Sequence, residues 1–329
     1  MRPFSYRRVA SPAEAVRFTV PQTAFLAGGT TLIDLMKLDT LRPAALVDLQ
    51  DLKSELDYIR VQGDQLHIGA LTTMQAVADD PTIARELPVV AQTMQLAASP
   101  QLRNMASVAG NVLQRTRCNY FRNTDWPACN KREPGSGCSA LDGVDRKHAI
   151  LGVSDRCIST YPGDFAQALV ALDATIEVLG PGGSRRLRFE ELHRGSEQPE
   201  IETTLQPDEL ITAFSIPLGP WTRRSRYLKV RDRESYEFAL ASAAVALQIE
   251  RGTVRVARIG LGGVAYRPWR AREAEQVLTG RRLDEATAQE AAQAAFAGAR
   301  PRRDNAYKSE LGRRTLVRAL LETRDLRVT

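Results

Sequence analysis

All four cysteines of the chain, Cys118, Cys129, Cys138 and Cys157, fall within one forty-residue stretch. Four thiolates suit an all-cysteine zinc site or an iron–sulfur cluster. Ten, eight and eighteen residues separate them, which matches neither paired Cys-x-x-Cys knuckles nor ferredoxin runs. Spacing therefore leaves inert thiols, zinc and a cluster equally open. Confinement to an irregular segment holding Pro127, Pro134, Gly135 and Gly137 argues for a function, because long structureless loops in compact domains commonly have one. The run Gly135-Ser136-Gly137 predicts flexible backbone whose N–H groups reach cluster sulfurs. A redox-inert zinc would add structure but no electron path.

A second candidate is Ala27-Gly28-Gly29-Thr30-Thr31-Leu32. A short apolar strand, Ala24 to Ala27, runs into two glycines, and Thr30 or Thr31 is predicted to cap a helix through Met36. Such a loop lets backbone approach a phosphate closely. It fits neither Gly-x-Gly-x-x-Gly nor Gly-x-x-x-x-Gly-Lys, and a plain tight turn is the alternative. A second small-residue segment, Ala98 to Asn104 followed by Ala106-Ser107-Val108-Ala109-Gly110-Asn111, offers a hydroxyl, amides and a glycine. Two such loops face to face could hold a dinucleotide. The three histidines, His67, His148 and His193, are far apart in sequence and predict no hydrolytic site.

The elements that must position these residues divide the chain in three. Residues 1–55 alternate strand and helix, with Ser11 as N-cap and Pro12 opening a helix, and predict a small α/β domain. Residues 56–222 carry strands at Leu66–Ala70, Thr175–Leu179 and Glu209–Ile216, a helix over Leu87–Ala98, and the cysteine loop at 115–160. Residues 223–329 open with a strand at Tyr227–Val230 and a hairpin, Ala243–Glu250 and Thr253–Leu261. Helices follow over Ala271–Leu278, Asp284–Ala297 and Ala306–Glu322, giving an α+β domain.

Composition sets outer limits. The 329 residues are 43% hydrophobic and 26% charged, ordinary for a chain of two or three globular domains. The net charge of +6 is scattered, without the basic stripe that nucleic-acid binding requires. No apolar run is long enough to span a membrane. The N-terminus lacks a signal core. Residence in the cytoplasm, or export in folded form with a signal-bearing partner, is expected.

Taken together, Ala27-Gly28-Gly29-Thr30 and Ala106-Ser107-Val108-Ala109-Gly110-Asn111 resemble the FAD-binding subunit of the xanthine dehydrogenase and aldehyde oxidase molybdenum hydroxylases. Four further segments agree in order: Ile68-Gly69-Ala70 with Thr72, Tyr161-Pro162-Gly163-Asp164, Asp208-Glu209-Leu210-Ile211 and Tyr227-Leu228-Lys229-Val230. The resemblance covers essentially the whole chain. It implies an α+β fold: an FAD-binding domain of the vanillyl-alcohol-oxidase/PCMH type in two α/β subdomains, plus a C-terminal domain of antiparallel sheet with helices. It implies that Leu26, Ala27, Gly28, Gly29, Thr30, Thr31 and Leu32 wrap the FAD pyrophosphate, with Ser107, Gly110 and Asn111 opposite. Asp164 would lie near the cofactor's polar chain, Ile211 against the isoalloxazine, and Lys229 beside the flavin ring, where positive charge favours reduced flavin.

The cysteine region is similar to the inserted loop of the FAD subunit in bacterial heterotrimeric, periplasmic-type aldehyde oxidoreductases. That likeness implies that Cys118, Cys129, Cys138 and Cys157 ligate a 4Fe–4S cluster. It also implies two partners, a large molybdopterin-binding subunit and a small subunit with two 2Fe–2S clusters. Electrons would pass from the 2Fe–2S centres to FAD and out to an acceptor, with substrate oxidised on another chain and no catalytic residue here. A free-standing FAD-dependent oxidase and a zinc-stabilised, non-enzymatic assembly module are the alternatives.

Overall fold

The computed structural model describes residues 1–18 and 20–328. The chain opens with β1 (Ser5–Arg8), α1 (Pro12–Arg17), β2 (Thr23–Leu26), α2 (Leu32–Lys37), β3 (Ala45–Asp48) and α3 (Lys53–Leu56). The strands form a parallel sheet in the order β1-β3-β2, as alternating strands and helices demand. Ser11 caps α1, its hydroxyl accepting from Glu14 N, and Pro12 takes the first helical position. Thr31 stands at the cap of α2 but makes no side-chain cap bond, because its own backbone is already helical. The expected threonine cap is therefore not formed.

The second sheet is antiparallel, in the order β4-β5-β8-β6-β7. It contains β4 (Ile59–Gln62) and β5 (Gln65–Gly69), which precede five short helices: α4 (Met74–Asp79), α5 (Pro81–Glu86), α6 (Pro88–Gln95), α7 (Pro100–Met105) and α8 (Val108–Val112). After the cysteine segment, with its single turn α9 (Asn119–Arg122), come α10 (Phe165–Ala171), β6 (Thr175–Gly180), β7 (Gly183–Arg188) and β8 (Leu210–Pro217). Pro217 extends the last strand beyond its expected end and pairs with Gln65. Every residue of α10 is buried, so its sequence carries no polar face and no helical period to read.

The third sheet runs β12-β11-β10-β9, from β9 (Ser225–Val230), β10 (Ala241–Glu250), β11 (Thr253–Gly262) and β12 (Trp269–Arg270). It is covered by α11 (Arg272–Leu278), α12 (Glu285–Ala295) and α13 (Tyr307–Arg324). β10 is a shared wall. Ala244 and Ala246 face the core of the second sheet, while Ala243, Val245 and Leu247 face the core of the third. Fully burying a side chain such as Leu247 contributes about 1.5–3 kcal/mol. Arg270 ties the two regions. Its buried guanidinium pairs with Glu275 and donates to Val170 O at 2.6 Å.

The cysteine segment is woven into this third region. Ile150 N and Leu151 N both donate to Val264 O, Tyr266 N donates to Leu151 O, and both residues are buried in the third core.

Candidate functional site: a charged cleft beside a cysteine cluster

A cleft of about 380 Å³ opens where the three regions meet. Six of the expected residues line it: Thr30, Thr31, Gly110, Asn111, Asp164 and Lys229. The others stand behind the wall. Leu26 ends β2, its carbonyl accepting from Leu49 N, and Ala27 O accepts from Gln50 Nε2 at 2.8 Å. Gly28 and Gly29 form the turn, and Leu32 begins α2. A Cβ on Gly28 would lie 1.8 Å from Met105 O, so the tightest approach there is between two protein backbones. Gly29 has φ +71°, a left-handed turn conformation that favours glycine. Ile211 is buried in β8, opposite Val178 and within the second core.

The opposing loop spends its backbone donors internally. Ser107 caps α8, its hydroxyl accepting from Gly110 N at 3.1 Å. Val108 N donates to Thr72 O and Ala109 N to Ala70 O. Side chains are what this loop offers the cleft. Asn111 Nδ2 contacts Met74 Sδ at 3.4 Å, while the buried Asn111 Oδ1 has no hydrogen-bond partner among the described residues. A buried orphan acceptor calls for a donor from a ligand or water.

On the far wall, Lys229 Nζ donates to Asp164 Oδ2 at 2.8 Å and to Leu96 O at 3.0 Å. Tyr227 OH donates to the other oxygen of Asp164, and burial pushes the Tyr227 phenol well above its ordinary value. The pair sits on β9 and at the start of α10, which the second core clamps together. Arg117 and Arg122 add charge, both bonded to Asp34 at 3.3 and 2.7 Å. With Arg233 and Lys229 they make four cations against three carboxylates, Asp34, Asp164 and Glu237, a balance suited to an anionic ligand. Tyr236 and Phe238, on the loop joining β9 to β10, supply rings. The sequence reading missed Arg117, Arg233, Tyr236 and Phe238. Their one signal was position, within ten residues after Lys229 or beside Cys118.

The four cysteines gather next to this cleft. Cys129 and Cys138 face each other across an isolated antiparallel bridge, held by Asn130 N to Gly137 O at 2.7 Å and Ser139 N to Ala128 O at 2.9 Å. Gly135 N and Gly137 N both donate to Asn130 Oδ1, at 3.1 and 3.0 Å, and Ser136 N donates to Glu133 O. These N–H groups shape the turn, so the expectation that they reach sulfurs is corrected.

All four thiols are free. Charge coupling links Cys118 to Cys129 and Cys157, and Cys138 to Cys118 and Cys157. The sulfurs are therefore neighbours. Even so, among the described residues no three His, Cys, Asp or Glu close in on a point as the ligands of a single ion do. Burial pushes the Cys118 thiol up to about 12. Cys138 donates to Cys157, which raises Cys138 and, with the nearby Lys131 ammonium, lowers Cys157. His148 Nε2 sits 3.2 Å from Cys118 Sγ, a partnership with no counterpart in the sequence pattern. Lys131 is buried, bonded to Glu202, Tyr266 OH and Pro199 O.

Residues 2–219 match the family described as FAD binding domain in molybdopterin dehydrogenase, and residues 226–323 the CO dehydrogenase flavoprotein C-terminal domain. The chain is 44% identical to the aldehyde oxidoreductase FAD-binding subunit PaoB of Escherichia coli strain K12, across 98% of this chain and 99% of that one. It is 31% identical to the carbon monoxide dehydrogenase medium chain of Afipia carboxidovorans, covering 85% of this chain and 81% of that one. A chain in the structure of reconstituted CO dehydrogenase from Oligotropha carboxidovorans matches with a TM-score of 0.77 at 30% identity, covering 98% of each chain. Fold and cleft thus define an FAD-binding flavoprotein. The chain belongs to the FAD-binding subunits of the molybdenum hydroxylases, oxidoreductase subunits of the aldehyde oxidoreductase and xanthine dehydrogenase type. Among the described residues no helix is long and apolar enough to cross a membrane.

Proposed function

We propose that this chain is the FAD- and 4Fe–4S-carrying electron-transfer subunit of a heterotrimeric aldehyde oxidoreductase. Its partners are a large molybdopterin-binding subunit and a small subunit with two 2Fe–2S clusters. The observation that carries the reading is a juxtaposition. Arg117 lines the charged cleft while its chain neighbour Cys118 belongs to the cysteine cluster.

FAD, when bound, accepts and releases electrons singly or in pairs. The chain's residues bind and orient it. Thr30, Thr31 and Asn111 offer hydroxyls and an amide, Gly110 leaves room, and Arg117, Arg122 and Arg233 balance phosphate charge. Leu26, Ala27, Gly28, Gly29 and Leu32 fix the first loop, and Ser107 the second. Lys229, held by Asp164, presents a fixed positive charge to the cleft. Ile211 acts through packing.

Cys118, Cys129, Cys138 and Cys157 are the ligands assigned to the 4Fe–4S cluster. Support comes from the donor set, four free thiols gathered in one segment, two of them facing across a β-bridge. The compartment is the periplasm, reached with a signal-bearing partner, or the cytoplasm.

Iron and acid-labile sulfide analysis of the purified complex tests the cluster, with Cys138→Ser as control. Iron matching only the two 2Fe–2S centres, with stoichiometric zinc, would overturn it. The isolated chain, loaded with FAD, is expected to show no aldehyde-dependent dye reduction until the other two subunits are added. Turnover by the chain alone would favour a free-standing oxidase.

A further inference from the structure

A second cavity, of about 640 Å³, lies beside the charged cleft. The two share Arg117, Pro162, Glu237 and Phe238 as a common wall, and Cys118 and His148 also line the second. We propose that this cavity binds an uncharged, planar aromatic electron acceptor, a quinone. The proposal rests on the reading that FAD occupies the neighbouring cleft.

Three observations carry it. The first is the lining. Tyr120 and Trp126 stack edge to face at 5.1 Å, and Phe238, also in the lining, lies under the Arg117 guanidinium, 4.9 Å from the ring centroid. Rings at the wall of a cavity favour a flat apolar guest.

The second is charge. Each cation of the lining already has a carboxylate. Arg146 is paired with Asp232 at 2.8 Å, Lys147 with Asp232 and Glu237 at 3.6 Å each, and Arg117 with Asp34 at 3.3 Å. An anion entering here would gain little and would disrupt pairs that join the cysteine segment to the β9–β10 loop. A neutral guest disrupts none.

The third is exposure. Trp126, Val144 and Phe238 keep 47%, 67% and 39% of their surface open. Meeting at one cavity, these three exposed apolar side chains give it an apolar rim suited to an apolar guest.

Size agrees, since small-molecule sites occupy about 300–1,000 Å³. A quinone there takes up two electrons and two protons, one proton on each carbonyl oxygen, and leaves as the hydroquinone. The donor is fully reduced, protonated flavin in the adjoining cleft, which gives up both electrons and, through solvent, both protons and returns to its oxidised form. Asn119 offers an amide at the cavity for a quinone carbonyl.

The test uses the purified heterotrimer, oxidised, with menadione as probe and saturation-transfer NMR as readout. Trp126→Ala, by removing a stacking ring, and Val144→Glu, by placing a charge at the apolar rim, should each weaken menadione binding roughly tenfold or more. The second variant leaves the Tyr120–Trp126 ring pair intact, guarding against a folding defect in the first. Flavin content, iron content and aldehyde-dependent ferricyanide reduction should stay at wild-type levels. Wild-type menadione affinity in both variants would overturn the proposal. So would no menadione binding by the wild type, as when a partner subunit fills the cavity, or a preference for NAD+. Missing flavin, read separately by absorbance, would instead fail the reading on which the proposal rests.

Discussion

Lys229 Nζ stands 2.8 Å from Asp164 Oδ2, with the two side chains 1% and 5% exposed. Neither ion could be buried there alone. Lys229→Met leaves a buried carboxylate without its cation and is expected to cost about 3–5 kcal/mol. Flavin retention should fall with it. The double variant Lys229→Met with Asp164→Asn should be more stable than Lys229→Met alone. Denaturant unfolding and flavin-to-protein ratios check this, and simple additivity of the two losses would contradict it.

The two loop glycines should behave differently. Gly28→Ala drives a methyl group into Met105 O and must move backbone, at a cost of at least about 2 kcal/mol. FAD should be lost with it, because the loop facing Gly110 and Asn111 shifts. Gly29→Ala meets only the side chains of Ile33 and Leu26, at 3.1 and 3.4 Å, and pays chiefly for a left-handed φ, about 1–2 kcal/mol. Flavin titration of both proteins measures the contrast. Equal flavin affinities would show that the squeeze at Gly28 is irrelevant.

Asn130 is the latch of the cysteine hairpin. Its side chain accepts from Gly135 N and Gly137 N and donates to Arg156 O at 2.9 Å. Asn130→Ala should loosen the turn, and Cys138 in the metal-free chain should alkylate at least roughly tenfold faster. Flavin content should not change. Mass-spectrometric labelling rates give the answer, and an unaltered rate at Cys138 would remove Asn130 from this role.

Lys308 is fully buried, and burial, followed by repulsion from Arg146 and Lys147, lowers its pKa to about 7. In the unfolded chain a lysine holds its proton up to about 10.4. Between those values the unfolded state binds more protons, so stability rises with pH from about 7 to about 10, and below 7 the destabilisation is complete. Lys308→Met abolishes this term. Relative to wild type, the variant should lose up to about 5 kcal/mol on going from pH 6.5 to pH 10. Melting temperatures of both proteins at the two pH values test it. A constant difference between them would refute the assignment.

Much of the fold was legible because its signals are local. Ser11 and Pro12 announce α1, the alternation in Thr175–Leu179 announces β6, and Arg251-Gly252, both at positive φ, announces the hairpin turn. What stayed hidden had no local signal. α10 is buried all round, and α4, α5, α7 and α8 are too short for a hydrophobic period to show. At the site, glycines and cysteines stand out by type. Arg117, His148 and Phe238 do not, because their roles come from neighbours far away in sequence. The His148–Cys118 contact spans thirty residues, and the Arg117 guanidinium lies over Phe238 only after the third sheet has formed.

The weaving of Ile150 and Leu151 into the third core bears on biogenesis. Their hydrogen-bond partners, Val264 and Tyr266, emerge from the ribosome more than a hundred residues later. The cysteine segment therefore cannot reach its final form until residues 264 and 266 have been made. Ile150 and Leu151 wait for the last third of the protein, and during that wait the thiols are open to solvent. Closure of the C-terminal sheet then acts as the step that seals them in.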